Sequence, residues 1–465
     1  MSNNREQWGS KLGFILAASG SAVGLGNIWK YPHMAGQNGG AAFTVVYLIC
    51  ILIVGLPILM SELVIGRKTQ LSPVGAFNEL ANKSNWRWVG FLGVASAFVI
   101  LSFYGVVGGW TLRYTFFSLS GGFEALSGNP GASGDMFNSF ISNSINPIIW
   151  QLIFMFFCMG IIIKGVKSGI EEGSKIMMPL IIAILAVLAV RGVTLDGGSD
   201  GLTFLFKPKF SDLTPSSIVL ALGHAFFTLS LGMGTMITYG SYLDKKQNLL
   251  NSAIWVILLD TAIAMLAGTA IFTIVFAMGA DPSAGAGLIF VVLPTIFPQI
   301  GGGLIWGTLF FFILFIAALT SAISILEVIT AYFIDEKGWS REKATLSFGG
   351  VITVVGIFCS LSLGDFNLTS SLDISFFDFM DELSSKYMLP IGGALTAMFV
   401  LYRWGIDLFL EEIKIGMENI NVDWKSARSI SNVLFILSSL IVVLIILNEV
   451  FELIFGKSLQ QMAGF

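Results

Sequence analysis

Charge is the scarcest ingredient of this sequence: 12% of its 465 residues are Asp, Glu, Lys or Arg, against about a quarter in an ordinary soluble domain. That scarcity excludes a soluble enzyme of the usual kind. Cysteine is nearly absent too. Cys50, Cys158 and Cys359 stand at unrelated spacings inside apolar stretches, which argues against a disulfide framework or a thiolate metal site. The only histidines, His33 and His224, form no ligand cluster. No extended basic surface or base-stacking motif points to nucleic acid, and no set of nucleophile, base and orienting group points to catalysis. Long polar linkers and low-complexity runs are missing, so the chain reads as one domain. The first apolar segment lacks a small-residue cleavage site after it and is therefore read as part of the mature protein.

What fills the sequence instead is apolar, at 55% of residues. A helix crossing a bilayer takes roughly 20 apolar residues, and about eleven stretches qualify. They are predicted near 12–35, 41–65, 89–119, 148–164, 174–191, 214–242, 249–279, 302–334, 345–363, 386–410 and 430–455. A barrel is excluded because runs such as Ile176 to Val190 are apolar on every face instead of alternating. With the N-terminus inside, about eighteen basic residues face the cytoplasm against roughly six outside, in accord with the positive-inside rule. The expectation is a multi-pass cell-membrane protein with a cytoplasmic N-terminus and, after an odd number of spans, an extracellular C-terminus.

Two spans carry interruptions near mid-membrane. The first reads Ser19-Gly20-Ser21-Ala22-Val23-Gly24-Leu25-Gly26-Asn27, and the sixth reads Phe227-Thr228-Leu229-Ser230-Leu231-Gly232-Met233-Gly234. Glycine lowers helix stability by about 1 kcal/mol relative to Ala. In hydrocarbon the freed carbonyls and amides need partners, so a break is tolerable only where it lines a cavity or binds something. A lone Gly pair in a membrane helix usually permits close packing. Two matched breaks, in spans one and six, instead fit an inverted five-plus-five repeat, with 12–191 as one repeat, 214–410 as the other and 430–455 appended.

These residues resemble the neurotransmitter:sodium symporter family, especially its bacterial amino-acid transporters with the LeuT fold. The resemblance covers almost the whole chain. It is carried by Arg5-Glu6-Gln7-Trp8, Gly20 to Asn27, Pro32 with Asn38-Gly39-Gly40, Phe226 to Gly232, Ala317-Ala318-Leu319-Thr320-Ser321 and Asp378-Phe379-Met380-Asp381. It implies an all-α integral membrane protein with two sodium sites. Site 1 would use Ala22, Asn27, Thr228 and Asp260 together with the substrate carboxylate. Site 2 would use the carbonyls of Gly20, Val23 and Ala317 and the hydroxyls of Thr320 and Ser321. Asp260 stands where family members carry an amide. The residues matching the family's chloride ligands are Tyr47, His224, Thr228 and Ala264, two of them changed, so the expectation is chloride independence with the Asp260 carboxylate in the anion's place.

The same resemblance places the substrate among Ser21, Ala22, Gly24, Leu25, Gly26, Ile100, Tyr104, Phe227, Thr228, Ser230, Met233, Ser321 and Ile325. Amine transporters of the family have Asp where this chain has Gly24, which points to a substrate bringing its own carboxylate. Met233 replaces a Phe found in some relatives, and a flexible thioether makes way for a larger ring. The expected cargo is a hydrophobic or aromatic L-amino acid. Gates are implied at Lys30 with Asp381 on the outside, and at Arg5 with Asp335 on the inside, packed by Trp8, Ser241 and Tyr242. Glu62 is expected to accept hydrogen bonds from the unwound sixth helix. Gly169 and Pro179 bracket a stretch of the fifth span that either unwinds or merely kinks. Competing readings are a related permease for another small zwitterion such as an osmolyte, and a nontransporting membrane sensor. A channel would show a pore motif, which is absent.

Overall fold

The computed structural model describes residues 5–455 apart from 83, 286, 365, 367–373 and 419. Its elements are helical, as they must be where hydrocarbon leaves backbone groups no partner but one another. The first span is α1 (Lys11–Ala22) and α2 (Gly26–Gln37), bent by 49° at the intervening break. The helices α3 (Ala41–Thr69), α4 (Arg87–Leu119), α5 (Asn146–Ile163) and α6 (Val166–Val193) follow. The sixth span is split into α7 (Pro215–Thr228) and α8 (Thr235–Gly240). After it come α9 (Leu249–Ala277), α10 (Leu288–Gln299), α11 (Gly303–Lys337) and α12 (Arg341–Leu361). The chain closes with α13 (Phe376–Trp404), α14 (Ile406–Lys414), which turns off by 98°, and α15 (Trp424–Phe455).

Burial sorts these helices into a centre and a rim. In the most apolar 18-residue stretch of α11, 89% is buried, and in α4 67%; the values for α5 and α15 are 33% and 22%. The last two therefore expose broad apolar faces, as lipid-facing helices do. The centre is α4 and α11, with the broken first and sixth spans packed against them.

Spans one to four, seven to nine and eleven lie within a few residues of the sequence expectation. The fifth begins at Val166 instead of 174, because its first turns are widened over Val166–Glu171. From Glu172 to Val193 the helix runs unbroken through Pro179, so the unwinding considered there is confined to the amino end. The tenth starts at Phe376, ten residues before the expected 386, with polar turns that pure hydropathy discounts. Apolar α10 is a 12-residue excursion between spans seven and eight, too short to cross.

The sixth-span break is built from left-handed backbone. Ser230, Gly232 and Gly234 have φ of +53°, +82° and +75°. A Cβ on Gly232 would lie 2.2 Å from the Leu389 carbonyl oxygen, so the chain passes α13 at a distance only glycine allows. The exposed amides meet Glu62 of α3: Gly232 N donates to Oε1 at 2.7 Å and Met236 N to Oε2 at 3.2 Å. Glu62 is fully buried, as expected of a carboxylate substituting for lost helix bonds. Glu62→Gln sets an amide NH2 against a backbone N–H, leaving a buried donor unsatisfied at a cost of about 1–3 kcal/mol. A clear drop in melting midpoint of the detergent-solubilised protein is expected; an unchanged midpoint contradicts this account of the break.

Candidate functional site

The ends of α1, α7 and α8 converge with α9 and α11 at mid-membrane. On one side stands Asp260 of α9, fully buried. Its Oδ1 accepts from Asn27 Nδ2 at 2.8 Å and from Thr228 Oγ1 at 3.0 Å, and its Oδ2 from Tyr47 Oη at 3.3 Å. The Thr228 hydroxyl also lies 3.2 Å from Asn27 Oδ1, which takes Gly24 N at 3.2 Å. A single hydroxyl proton thus faces two acceptors. Among the described residues no Lys or Arg bonds to this carboxylate, whose donors there are all neutral. An oxygen-rich, net-negative pocket of this kind suits a hard monovalent cation.

On the other side, α11 brings two adjacent hydroxyls under the open end of α1. Thr320 Oγ1 lies 3.0 Å from the Ala317 carbonyl oxygen and 3.4 Å from that of Val23. Ser321 Oγ lies 3.4 Å from the carbonyls of Gly20 and Val23 and 3.1 Å from that of Ser21. With the Ser230 hydroxyl, which donates to the Ser21 carbonyl at 2.9 Å, three hydroxyl protons serve four main-chain oxygens. Such an excess of convergent acceptors again fits a bare cation, which satisfies them all at once.

Between the clusters is a small cavity of about 20 Å³ lined by Ser21, Ala22, Gly24, Gly26, Ile100, Tyr104, Phe227, Ser230, Met233, Ser321 and Ile325. That is room for about one water. Eleven of the thirteen residues expected around the substrate therefore meet in one place. The other two lie beside it: Leu25 offers its amide to Tyr104 Oη at 3.2 Å, and the Thr228 hydroxyl is turned to Asp260. At Gly24 a Cβ would be 2.3 Å from Ser321 Oγ and 2.8 Å from Tyr104 Oη. The backbone there is available and a side chain is not.

The cavity is shut on both sides. On one, Lys30 Nζ binds Asp381 at 2.9 Å and sits 4.2 Å from the centroid of the Phe227 ring, below a vestibule of about 490 Å³. On the other, Arg5 Nη1 donates to both oxygens of Asp335 at 2.6 and 2.7 Å, while its Nη2 and Nε donate to Ser241 Oγ at 2.7 and 3.0 Å. Its guanidinium stacks 4.7 Å over Tyr242, while Trp8 Nε1 donates to the Tyr239 carbonyl at 2.9 Å. On the Arg5 side the closure is made by paired charges and ring packing together.

Some contributors escaped the sequence reading. Ser324, one turn beyond Ser321, accepts from Ser21 Oγ at 2.7 Å and donates to the Ser321 carbonyl at 2.8 Å. Glu327 continues that face, pairing with Arg341 at 2.7 Å and taking Tyr242 Oη at 2.6 Å. Polar residues at three-residue intervals in an otherwise apolar helix were the available signal. His224 lies with its ring centroid 5.0 Å from that of Tyr47, tilted by 42°, and neither of its nitrogens has a hydrogen-bond partner among the described residues.

A model described as the sodium:neurotransmitter symporter family matches residues 5–126 and 137–459. A sodium-dependent transporter of Bacillus subtilis, YhdH, is 40% identical over 410 residues, covering 88% of this chain and 90% of the relative. A sodium-dependent transporter of Methanocaldococcus jannaschii is 32% identical over 445 residues, covering 90% and 87%. Among solved structures, MhsT in complex with L-phenylalanine superposes with a TM-score of 0.86 at 45% identity, covering 95% of this chain and 100% of that one. Gly24→Ala drives a methyl into Ser321 and Tyr104, so sodium is expected to raise the melting midpoint of the unmodified protein and to leave that of the variant unmoved. A sodium shift of ordinary size in that variant contradicts the packing described.

Proposed function

The chain belongs to the sodium:neurotransmitter symporter family, a family of membrane transporters and not of enzymes, and on that premise we propose that it carries a large apolar or aromatic L-amino acid together with sodium. Its LeuT fold and sodium dependence are those of the family. The observation that carries the finer reading is Gly24, whose missing side chain leaves backbone open to a carboxylate between two oxygen clusters.

In this reading the cargo's carboxylate enters beside Asn27 and completes the first sodium site with Ala22, Thr228 and Asp260, so ion and cargo share a contact. Shared contact is coupling: each raises the other's affinity by the same factor. The second sodium sits among Gly20, Val23, Ala317, Thr320 and Ser321. Side-chain space is bounded by Ile100, Tyr104, Phe227, Met233 and Ile325, all apolar or thinly polar. The cavity of about 20 Å³ must expand to admit any amino acid, and Met233, a flexible thioether between the left-handed Gly232 and Gly234, is the wall best able to withdraw. The likeness to MhsT, solved with L-phenylalanine, supports a bulky cargo.

Asp260 occupies the centre of the donors Tyr47, Asn27 and Thr228, which leaves them turned to a carboxylate and unavailable to a free anion. Transport is accordingly independent of chloride. The orientation follows the distribution of basic residues, with Arg5 and Asp335 facing the cytoplasm, Lys30 and Asp381 facing out and the C-terminus outside. The five-plus-five arrangement then pairs 12–191 with 214–410 around the two breaks, and residues 430–455 form the added helix.

Counterflow of radiolabelled amino acids into proteoliposomes tests this directly. Phe, Tyr, Trp and Leu are expected to exchange in sodium and not in choline, with chloride replaceable by gluconate. Met233→Phe fills the wall and is expected to cut exchange of Trp and Phe at least tenfold more than that of Val. Exchange without sodium, collapse in gluconate, or preference for a betaine each contradicts the corresponding part.

A further inference from the structure

The amino end of α1 rests on a carboxylate to which none of the roles above applies. Glu171, in the widened turns that open α6, is fully buried. Its oxygens accept from Gly9 N at 2.5 Å, Ser10 Oγ at 2.8 Å and Lys175 Nζ at 2.9 Å. Ser10 is at the same time the cap of α1, its Oγ accepting from Gly13 N at 2.9 Å. The carboxylate thus faces a first helical turn, where free N–H groups and the helix dipole concentrate positive charge. The fit is close. A methyl on Gly13 would lie 2.1 Å from Glu171 Oε1. A second acid secures the preceding segment to the same loop: Glu6 accepts from Val166 N at 2.6 Å and pairs with Arg341 at 2.9 Å.

The opposite end of α1 presents the Gly20 and Val23 carbonyls to Thr320 and Ser321. At 12 residues α1 is a stiff rod about 18 Å long, hinged at the 49° break beyond Ala22. Its position is set at one end by Glu171 and at the other by the oxygen cluster. We propose that Glu171 is a positioning residue for transport: by anchoring the amino end of α1 it holds those carbonyls in register with the α11 hydroxyls and so sets sodium affinity at that cluster. The inference rests on the sodium reading given under the proposed function. Linkage makes it reciprocal, since sodium in the cluster tightens the anchor and sodium loss loosens it.

The test uses the full-length protein in detergent with two readouts: hydrogen exchange of the segment 9–22 in sodium and in potassium, and the sodium concentration that gives half-maximal thermal stabilisation. Glu171→Gln is expected to raise exchange in sodium to or beyond that of the unmodified protein in potassium. It is also expected to raise the sodium midpoint about fivefold, in keeping with one charge-assisted contact at a helix amino end. Glu172→Gln removes the exposed neighbour that also holds Lys175 at 2.9 Å and is expected to change neither. Gly13→Ala pushes α1 off the carboxylate and is expected to reproduce Glu171→Gln, which carries the test should the latter fail to fold. In a Glu171→Ala background, Gly13→Ala is expected to add little, because the obstructing oxygens are gone.

Unchanged exchange and midpoint in both Glu171→Gln and Gly13→Ala overturn the proposal, as does an equal shift in Glu172→Gln. Failure of the sodium reading itself looks different. The unmodified protein then shows no sodium-dependent stabilisation, while exchange over 9–22 in the Glu171→Gln variant still exceeds that of the unmodified protein in both salts.

Discussion

Everything at the centre of this molecule follows from one constraint: a backbone group freed from a helix in hydrocarbon has no water to turn to. Breaking the first and sixth spans frees such groups twice. The amides released after Gly232 are taken up by Glu62, a buried carboxylate supplied by a neighbouring helix. The carbonyls released at the end of α1 find the hydroxyls of Thr320, Ser321 and Ser230, and because Thr320 is shared with the Ala317 carbonyl, four oxygens face three protons. The unmet remainder is what a sodium ion supplies in the proposed reading. The same instability that makes the break costly makes it selective for a small hard cation.

Charge follows the same division. The freed amides of the sixth span have the Glu62 carboxylate beside them, and the carbonyls at the end of α1 face hydroxyls. Asp260 brings its negative charge to the remaining cluster, where Asn27, Thr228 and Tyr47 steady it without neutralising it. Access is graded along the path. A vestibule of about 490 Å³ lies over Lys30, Asp381 and Phe227, a space of about 20 Å³ lies beneath, and the Arg5 end is closed by paired charges and indole packing. In the proposed reading, alternating access means exchanging which of these closures is made, and the cavity volume sets how far the walls move to admit cargo.

Much of this was legible in the residues. Apolar runs announced the spans because a bilayer demands length and hydrophobicity and little else. The two Gly clusters announced the breaks because glycine tolerates φ above zero and close backbone approach. Asp260 and Glu62 stood out as acids in apolar surroundings, and Glu62 proved to bond the amides assigned to it. Less legible was anything settled by helix rotation. Nothing in the sequence says that Tyr47 reaches Asp260, that Ser324 bonds Ser21, or that Glu171 meets the first turn of α1 across 161 residues. The early starts at Val166 and Phe376 were missed for a related reason: polar turns at helix ends are indistinguishable from loops until their partners are known.

Equilibrium binding of radioactive sodium to the purified protein, with and without a saturating large amino acid, tests the central claim most directly. The account predicts two ions bound per chain when cargo is present. Asp260→Asn should lose the ion whose binding depends on cargo and keep the other. Sodium binding that is absent, or that is indifferent both to cargo and to Asp260→Asn, would contradict the claim that the broken helices bind sodium and substrate as one unit.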